Sequence, residues 1–196
     1  MGRGRTYHQG CARKAMERGT RYGAGARAFH WITVALLLII IPIGLVMGGL
    51  PRGLLQDTLF ITHESLGVTV LGLTVLRAFW RLTHPAPPPS ADLAPLERRA
   101  SGAVHAALYL ILLAAPITGY LYISFRGITL HYLGLIAVPA LVAPDKPLAK
   151  LAISVHAALP WAIYTLAALH IGAALHHYFV RHNDVLQRML PSLDRR

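Results

Sequence analysis

The sequence is short of charge, of acid and of cysteine. Only 14% of its 196 residues are charged, against about 25% in a soluble domain. Aspartate and glutamate together number 8, against 19 lysines and arginines. A single cysteine, Cys11, excludes an intrachain disulfide and any C-x-x-C pair. There is no Walker-type loop, G-x-G-x-x-G, G-x-S-x-G or H-E-x-x-H run, so the sequence lacks the usual signatures of phosphate cradles, serine nucleophiles and zinc peptidases. No internal linker divides the chain into two domains.

What is present is apolar. Hydrophobic residues make up 55% of the chain and the mean hydropathy is +0.48. Crossing a hydrocarbon layer of about 30 Å takes about 20 mostly apolar residues. Four segments meet that length, at about Ala28–Met47, Ile61–Leu82, Val104–Ile123 and Leu151–Val180. The fourth is long enough to continue into water. Pro42, Pro116 and Pro160 fall inside these runs, which a helix packed among neighbours tolerates. A fifth apolar stretch, Ile128–Ala143, is shorter and carries His131 and Pro139. It reads as an interfacial or re-entrant piece of a long loop. The expected fold is an all-α integral membrane bundle of four transmembrane helices.

The net charge of +11 could suit nucleic acid or an anionic membrane surface. Its distribution selects the membrane. Arg3, Arg5, Arg13, Lys14, Arg18, Arg21 and Arg27 precede the first span. Arg77, Arg81, Arg98 and Arg99 lie around the second connection, and Arg181, Arg188, Arg195 and Arg196 follow the last span. Only Arg52, Arg126, Lys146 and Lys150 remain for the other two connections. The lysine and arginine bias therefore places both termini in the cytoplasm, and in a bacterium the arginine-poor loops face the periplasm of an inner-membrane protein. Residues 1–20 read as a mobile basic tail, residues 21–191 as the membrane domain and residues 192–196 as a C-terminal tail. The first apolar stretch is too long, and lacks a clean small-residue cleavage site, for a cleaved signal. His84–Ser90, with four prolines, reads as a stiff extended connector.

Eleven histidines in so apolar a chain need a reason, because ionisable or metal-binding side chains in a span are costly. His30 begins the first span, His63 the second and His105 the third, while His156 and His170 both lie in the fourth. Fourteen residues separate the last two, which is about four turns and about 21 Å of helix. They therefore share a face, with His156 at the depth of His63 and His170 at the depth of His30. Each matched pair could hold one metal from opposite sides, as imidazoles hold haem iron, and bundle cores house such groups. A proton relay through the same histidines fits the pattern as well. A lone histidine at a helix end is ordinarily an interfacial, hydrogen-bonded residue, which suits His84, His105, His131 and His182; His105 is also the alternative to one of the matched four. His176, His177 and Tyr178, beyond His170, form an ordinary aromatic anchor belt, or a place to hydrogen-bond a quinone. Small residues at Gly67, Gly72, Gly102, Gly119 and Gly172 allow close approach of helices or of a flat cofactor, and are equally ordinary packing positions. No Cys, Asp or Glu accompanies the histidines in a zinc-like cluster, and no c-type haem can be attached without C-x-x-C-H.

Several stretches together carry a likeness. Arg21-Tyr22 ahead of Phe29-His30-Trp31, Thr62-His63-Glu64-Ser65-Leu66-Gly67, Arg77 with Arg81, Pro85, and Ala115-Pro116-Ile117-Thr118-Gly119-Tyr120 are among them. Val155-His156, Leu169-His170, His176-His177-Tyr178-Phe179 and Asp184-Val185-Leu186-Gln187-Arg188-Met189 complete the set. In this combination the chain resembles the bacterial cytochrome b561 family over residues 21 to 191. The resemblance implies a four-helix membrane cytochrome with two b haems, His30 and His170 as axial ligands of the cytoplasmic one and His63 and His156 of the periplasmic one. It further implies an oxidoreductase such as superoxide oxidase, with superoxide as donor and ubiquinone as acceptor. Arg126, Lys146, Lys150 and Arg52 would then steer superoxide to the periplasmic face. A cytochrome b subunit serving a separate redox enzyme, of hydrogenase or dehydrogenase type, is the second expectation. A haem-free histidine-lined proton or metal transporter is the third. Partners are thus lipid, quinone, and superoxide or a redox protein; nothing indicates nucleic acid.

Overall fold

The computed structural model describes residues 21–90 and 92–190; the two expected terminal tails lie outside the described residues. Four long helices account for most of the chain: α1 Ala24–Met47, α2 Leu54–Thr83, α3 Pro95–Phe125 and α4 Lys146–Phe179. Each is long and apolar enough to span a membrane. The sequence fixes their starts locally. Pro95 opens α3, where Glu97 Oε2 accepts the Ala94 N–H at 2.8 Å. Pro147 lies in the first turn of α4, and Asp145 Oδ1 accepts the Leu148 N–H at 2.9 Å. A proline in the first turn removes an amide that would have had no partner, and a side-chain acceptor satisfies another. All four helices start earlier than the apolar runs, at Ala24, Leu54, Pro95 and Lys146. Hydropathy registers only the part that crosses hydrocarbon.

The burial pattern is inverted relative to a soluble bundle. Leu38 is 72% exposed and Leu82 84%, whereas Thr74 is 1% and Ser124 2%. Apolar side chains face lipid, and small hydroxyl residues sit where the helices meet. Those hydroxyls are satisfied within their own helices: Thr33, Ser65 and Thr74 donate to the carbonyls of Phe29, Ile61 and Val70, each at 2.7 Å. The closely packed neighbours are α1 with α2, α2 with α3, and α3 with α4. Helix α4 therefore approaches α1 and α2 without a tight backbone interface.

The fifth apolar stretch is an antiparallel hairpin of β1 Leu130–Tyr132 and β2 Ile136–Val138, Leu130 facing Val138. A three-residue loop, Leu133 to Leu135, joins the strands, with φ of 56° at Leu133 and 73° at Gly134, and left-handed backbone is common in such short hairpin loops. The Leu133 amide donates to Ser65 Oγ at 2.8 Å. Tyr120 Oη donates to Pro139 O at 2.5 Å and accepts from Leu141 N at 3.0 Å. The hairpin is thus strapped to both α2 and α3. Ser65→Ala leaves the Leu133 amide without its acceptor, which costs about 1–3 kcal/mol. A lower Tm in detergent is the expected result, and an unchanged Tm would mean that the strap contributes nothing.

At the opposite end, residues 180–190 fold back over the bundle. Trp31 Nε1 donates to Met189 O at 2.9 Å and Arg188 Nη2 to Pro88 O at 2.7 Å. Tyr22 N donates to Arg188 O at 3.2 Å, and Arg181 pairs with Glu97 at 3.5 Å. This segment ties the start of α1, the extended proline-rich connector and the start of α3 together.

Candidate functional site

Two levels of histidine cross the interior. At the outer end, near the hairpin, His63 on α2 faces His156 on α4 with ring centroids 6.0 Å apart. At the inner end, His30 on α1 faces His170 on α4 at 6.2 Å. The structure thus brings together both pairs matched by depth in the sequence. Two imidazoles on opposite sides of one metal, with bonds of about 2.0 Å each, have ring centres about 6 Å apart. His105 on α3 also reaches the inner level, 5.1 Å from His170, closer than opposed ligands of one metal stand. Among the described residues no three His, Cys, Asp or Glu side chains are grouped to chelate an ion. The pairs suit a metal that brings its remaining ligands with it.

Each outer ring is held in the same way by the helix before it. His63 Nδ1 lies 3.1 Å from Ile40 O, and His156 Nδ1 lies 2.8 Å from Ala115 O. A carbonyl only accepts, so Nδ1 carries the proton and Nε2 keeps its lone pair for a metal. Four residues beyond each carbonyl stands a glycine under the same ring. A Cβ on Gly44 would lie 2.6 Å from His63 Cε1, and one on Gly119 3.0 Å from His156 Cε1. Gly119 was among the small residues noted in the sequence and Gly44 was not; Gly72, Gly102 and Gly172 have open space beside them.

These coincidences belong to an internal repeat. His30, Ile40 and Gly44 on α1 recur at the same spacing as His105, Ala115 and Gly119 on α3. His63 and Arg77 on α2 recur fourteen apart, as do His156 and His170 on α4. The contacts repeat too: Arg77 Nη2 lies 3.5 Å from His30 Nδ1, in the place that His170 takes beside His105. Counting fourteen residues on from each outer histidine would have found Arg77 in the sequence.

The other expected residues separate into two groups. Arg126, Lys146, Lys150 and Arg52 are exposed and all lie at the outer end; the Arg126 guanidinium donates to Tyr122 Oη at 3.0 Å. At the inner end, His176 and Tyr178 are exposed, while His177 is buried with Nδ1 3.0 Å from Asn183 Nδ2. His177 thus pins the returning C-terminal segment. A hollow of about 390 Å³ beside it is lined by Tyr178, Phe179, His182, Asn183 and Gln187.

Comparison with known proteins agrees with this architecture. The profile of the family described as prokaryotic cytochrome b561 matches residues 21–192. The chain is similar to cytochrome b561 homolog 2 of Escherichia coli (strain K12), with 34% identity over 172 residues, 87% of this chain and 91% of the relative. Cytochrome b561 homolog 1 of the same strain is 30% identical over 169 residues, 83% and 92% of the two chains. A protein of Yersinia pestis named probable superoxide oxidase CybB is 29% identical over 171 residues, 87% and 96% of the two chains. Four apolar spans, two opposed imidazole pairs and a profile match across nearly the whole length agree: the chain belongs to the prokaryotic cytochrome b561 family.

Proposed function

We propose that this membrane cytochrome holds two haems b and oxidises superoxide at its outer end while reducing ubiquinone at its inner end. The observation that carries the reading is the pair of opposed imidazoles at each of two depths, 6.0 and 6.2 Å apart. His63 and His156 would hold the outer haem, and His30 and His170 the inner one. The Ile40 and Ala115 carbonyls hold Nδ1 of the outer rings, which leaves Nε2 free to bind a metal. When bound, haem b supplies the one-electron redox chemistry, and its axial ligands and surroundings set the potential. Two superoxide anions each lose one electron and leave as dioxygen; one quinone gains those two electrons and two protons and leaves as quinol. The donor is suggested by the name of the Yersinia relative, and the outer cluster of cations suits an anion.

Arg126, Lys146, Lys150 and Arg52 steer that anion. A field of this kind raises on-rates by about 10- to 10³-fold and is screened by salt. Purified protein given superoxide and a ubiquinone analogue should consume both, and Lys146→Gln with Lys150→Gln should slow the reaction about tenfold at low salt and flatten its salt dependence. Unchanged rate and salt dependence in that variant would remove the steering role. No turnover with the chain alone, restored by a second redox protein, would replace the superoxide reading with that of a subunit of a larger enzyme.

A further inference from the structure

We infer that the quinone head is received in the cavity beside Arg77, on the α1–α2 side of the inner end; this deepens the function proposed above and rests on it. The repeat is the starting point. Arg77 stands where the other half of the bundle has His170, so the half formed by α1 and α2 has a fixed cation in place of a second inner metal ligand. That cation reaches His30, at 3.5 Å from Nδ1, and lies over the Tyr109 ring at 5.2 Å.

Beside it opens a cavity of about 380 Å³, bordered by Arg77, Trp80, Arg81, His84, Tyr109 and Met189 among others. That volume lies in the range of small-molecule sites, which pair apolar walls with a few placed polar groups. The walls here are flat and held in place. Trp80 stacks on His84 at 3.8 Å with parallel planes, and its indole lies against α1 at Gly25, where a Cβ would come within 2.6 Å. Met189 belongs to the returning segment anchored by Trp31. Its border carries two guanidiniums, Arg77 and Arg81, and Arg81 makes no hydrogen bond or ion pair among the described residues. A planar ring with carbonyl oxygens at its rim matches this lining. N–H donors aimed at an oxygen that gains negative charge favour its reduction, and a position one side chain from His30 keeps the transfer short. Among the described residues the hollow near Tyr178 has no lysine or arginine on its border, and the neighbouring His177 is already bonded to Asn183.

Two measurements test this. In the first, wild-type protein carrying its haems is photolabelled with an azido-ubiquinone and the modified peptide is mapped. Label within residues 77–87 or at Tyr109 is expected; label within 176–187 overturns the inference. In the second, protein reduced anaerobically with dithionite is mixed with a short-chain ubiquinone analogue and haem reoxidation is followed. Arg81→Gln and Trp80→Leu should each raise the half-saturating quinone about tenfold, the effect of losing one charge-assisted hydrogen bond or one ring wall, with visible spectrum and haem-to-protein ratio unchanged. Wild-type half-saturation in both variants, or loss of haem from them, assigns the cavity elsewhere and overturns the inference while leaving the function standing. Failure of the wild-type protein to be reoxidised by quinone overturns the function itself.

Discussion

Protein carrying His63→Ala or His156→Ala should purify with one haem b per chain where the unsubstituted protein should carry two, and His30→Ala or His170→Ala should remove the other. Each substitution takes away one of the two opposed imidazoles proposed to hold that haem, and a haem left with one such ligand should be lost to detergent. A pyridine haemochrome count against protein concentration reads the outcome directly. His105→Ala is the discriminating control and should keep both haems. Its ring stands 5.1 Å from His170, short of the separation that opposed ligands need, while His30 stands at 6.2 Å. Loss of the inner haem from the His105 variant together with its retention in the His30 variant would transfer the ligand role to α3.

The second large effect needs no ligand to be touched. Gly44→Val or Gly119→Val should abolish or loosen the outer haem and leave the inner one in place. A Cβ at either position enters the space of an imidazole, at 2.6 Å from His63 Cε1 or 3.0 Å from His156 Cε1. The ring must turn or move, and either motion breaks its bond to the Ile40 or Ala115 carbonyl. Overpacking of a filled interior costs about 1–3 kcal/mol, and a displaced ring no longer opposes its partner. Redox titration of the two variants should show a single wave. Two unaltered waves would mean that the glycines serve only helix packing.

Much of this was legible in the chain because the physics involved is periodic. Hydropathy alone separates four spans, since lipid requires an apolar exterior along each helix, and the interval from His156 to His170 fixes both depth and face. The hairpin at Leu130–Val138 was not legible. Its strands have three residues each, too few to show alternation, and what holds them, Ser65 and Tyr120, lies far off in sequence. The cradles under His63 and His156 were hidden for a related reason. A glycine announces freedom from a side chain, and only the fold tells what fills the space. The bond between His177 and Asn183 likewise depends on the chain reversing after α4, which no helical pattern signals.

The vertical distance between the two imidazole levels has an electrical meaning. Fourteen residues of α4 amount to about 21 Å, about two-thirds of a hydrocarbon layer about 30 Å thick. An electron moving in the proposed direction enters from the positive side of an energised bacterial membrane and travels towards the negative side. It climbs about two-thirds of the field, at about 2.3 kcal/mol per charge for each 100 mV, or about 1.5 kcal/mol. Transfer between the two levels is therefore electrogenic and is opposed by the membrane potential, so the inner centre must be the stronger oxidant by at least that margin, or the quinone must draw the electron onward.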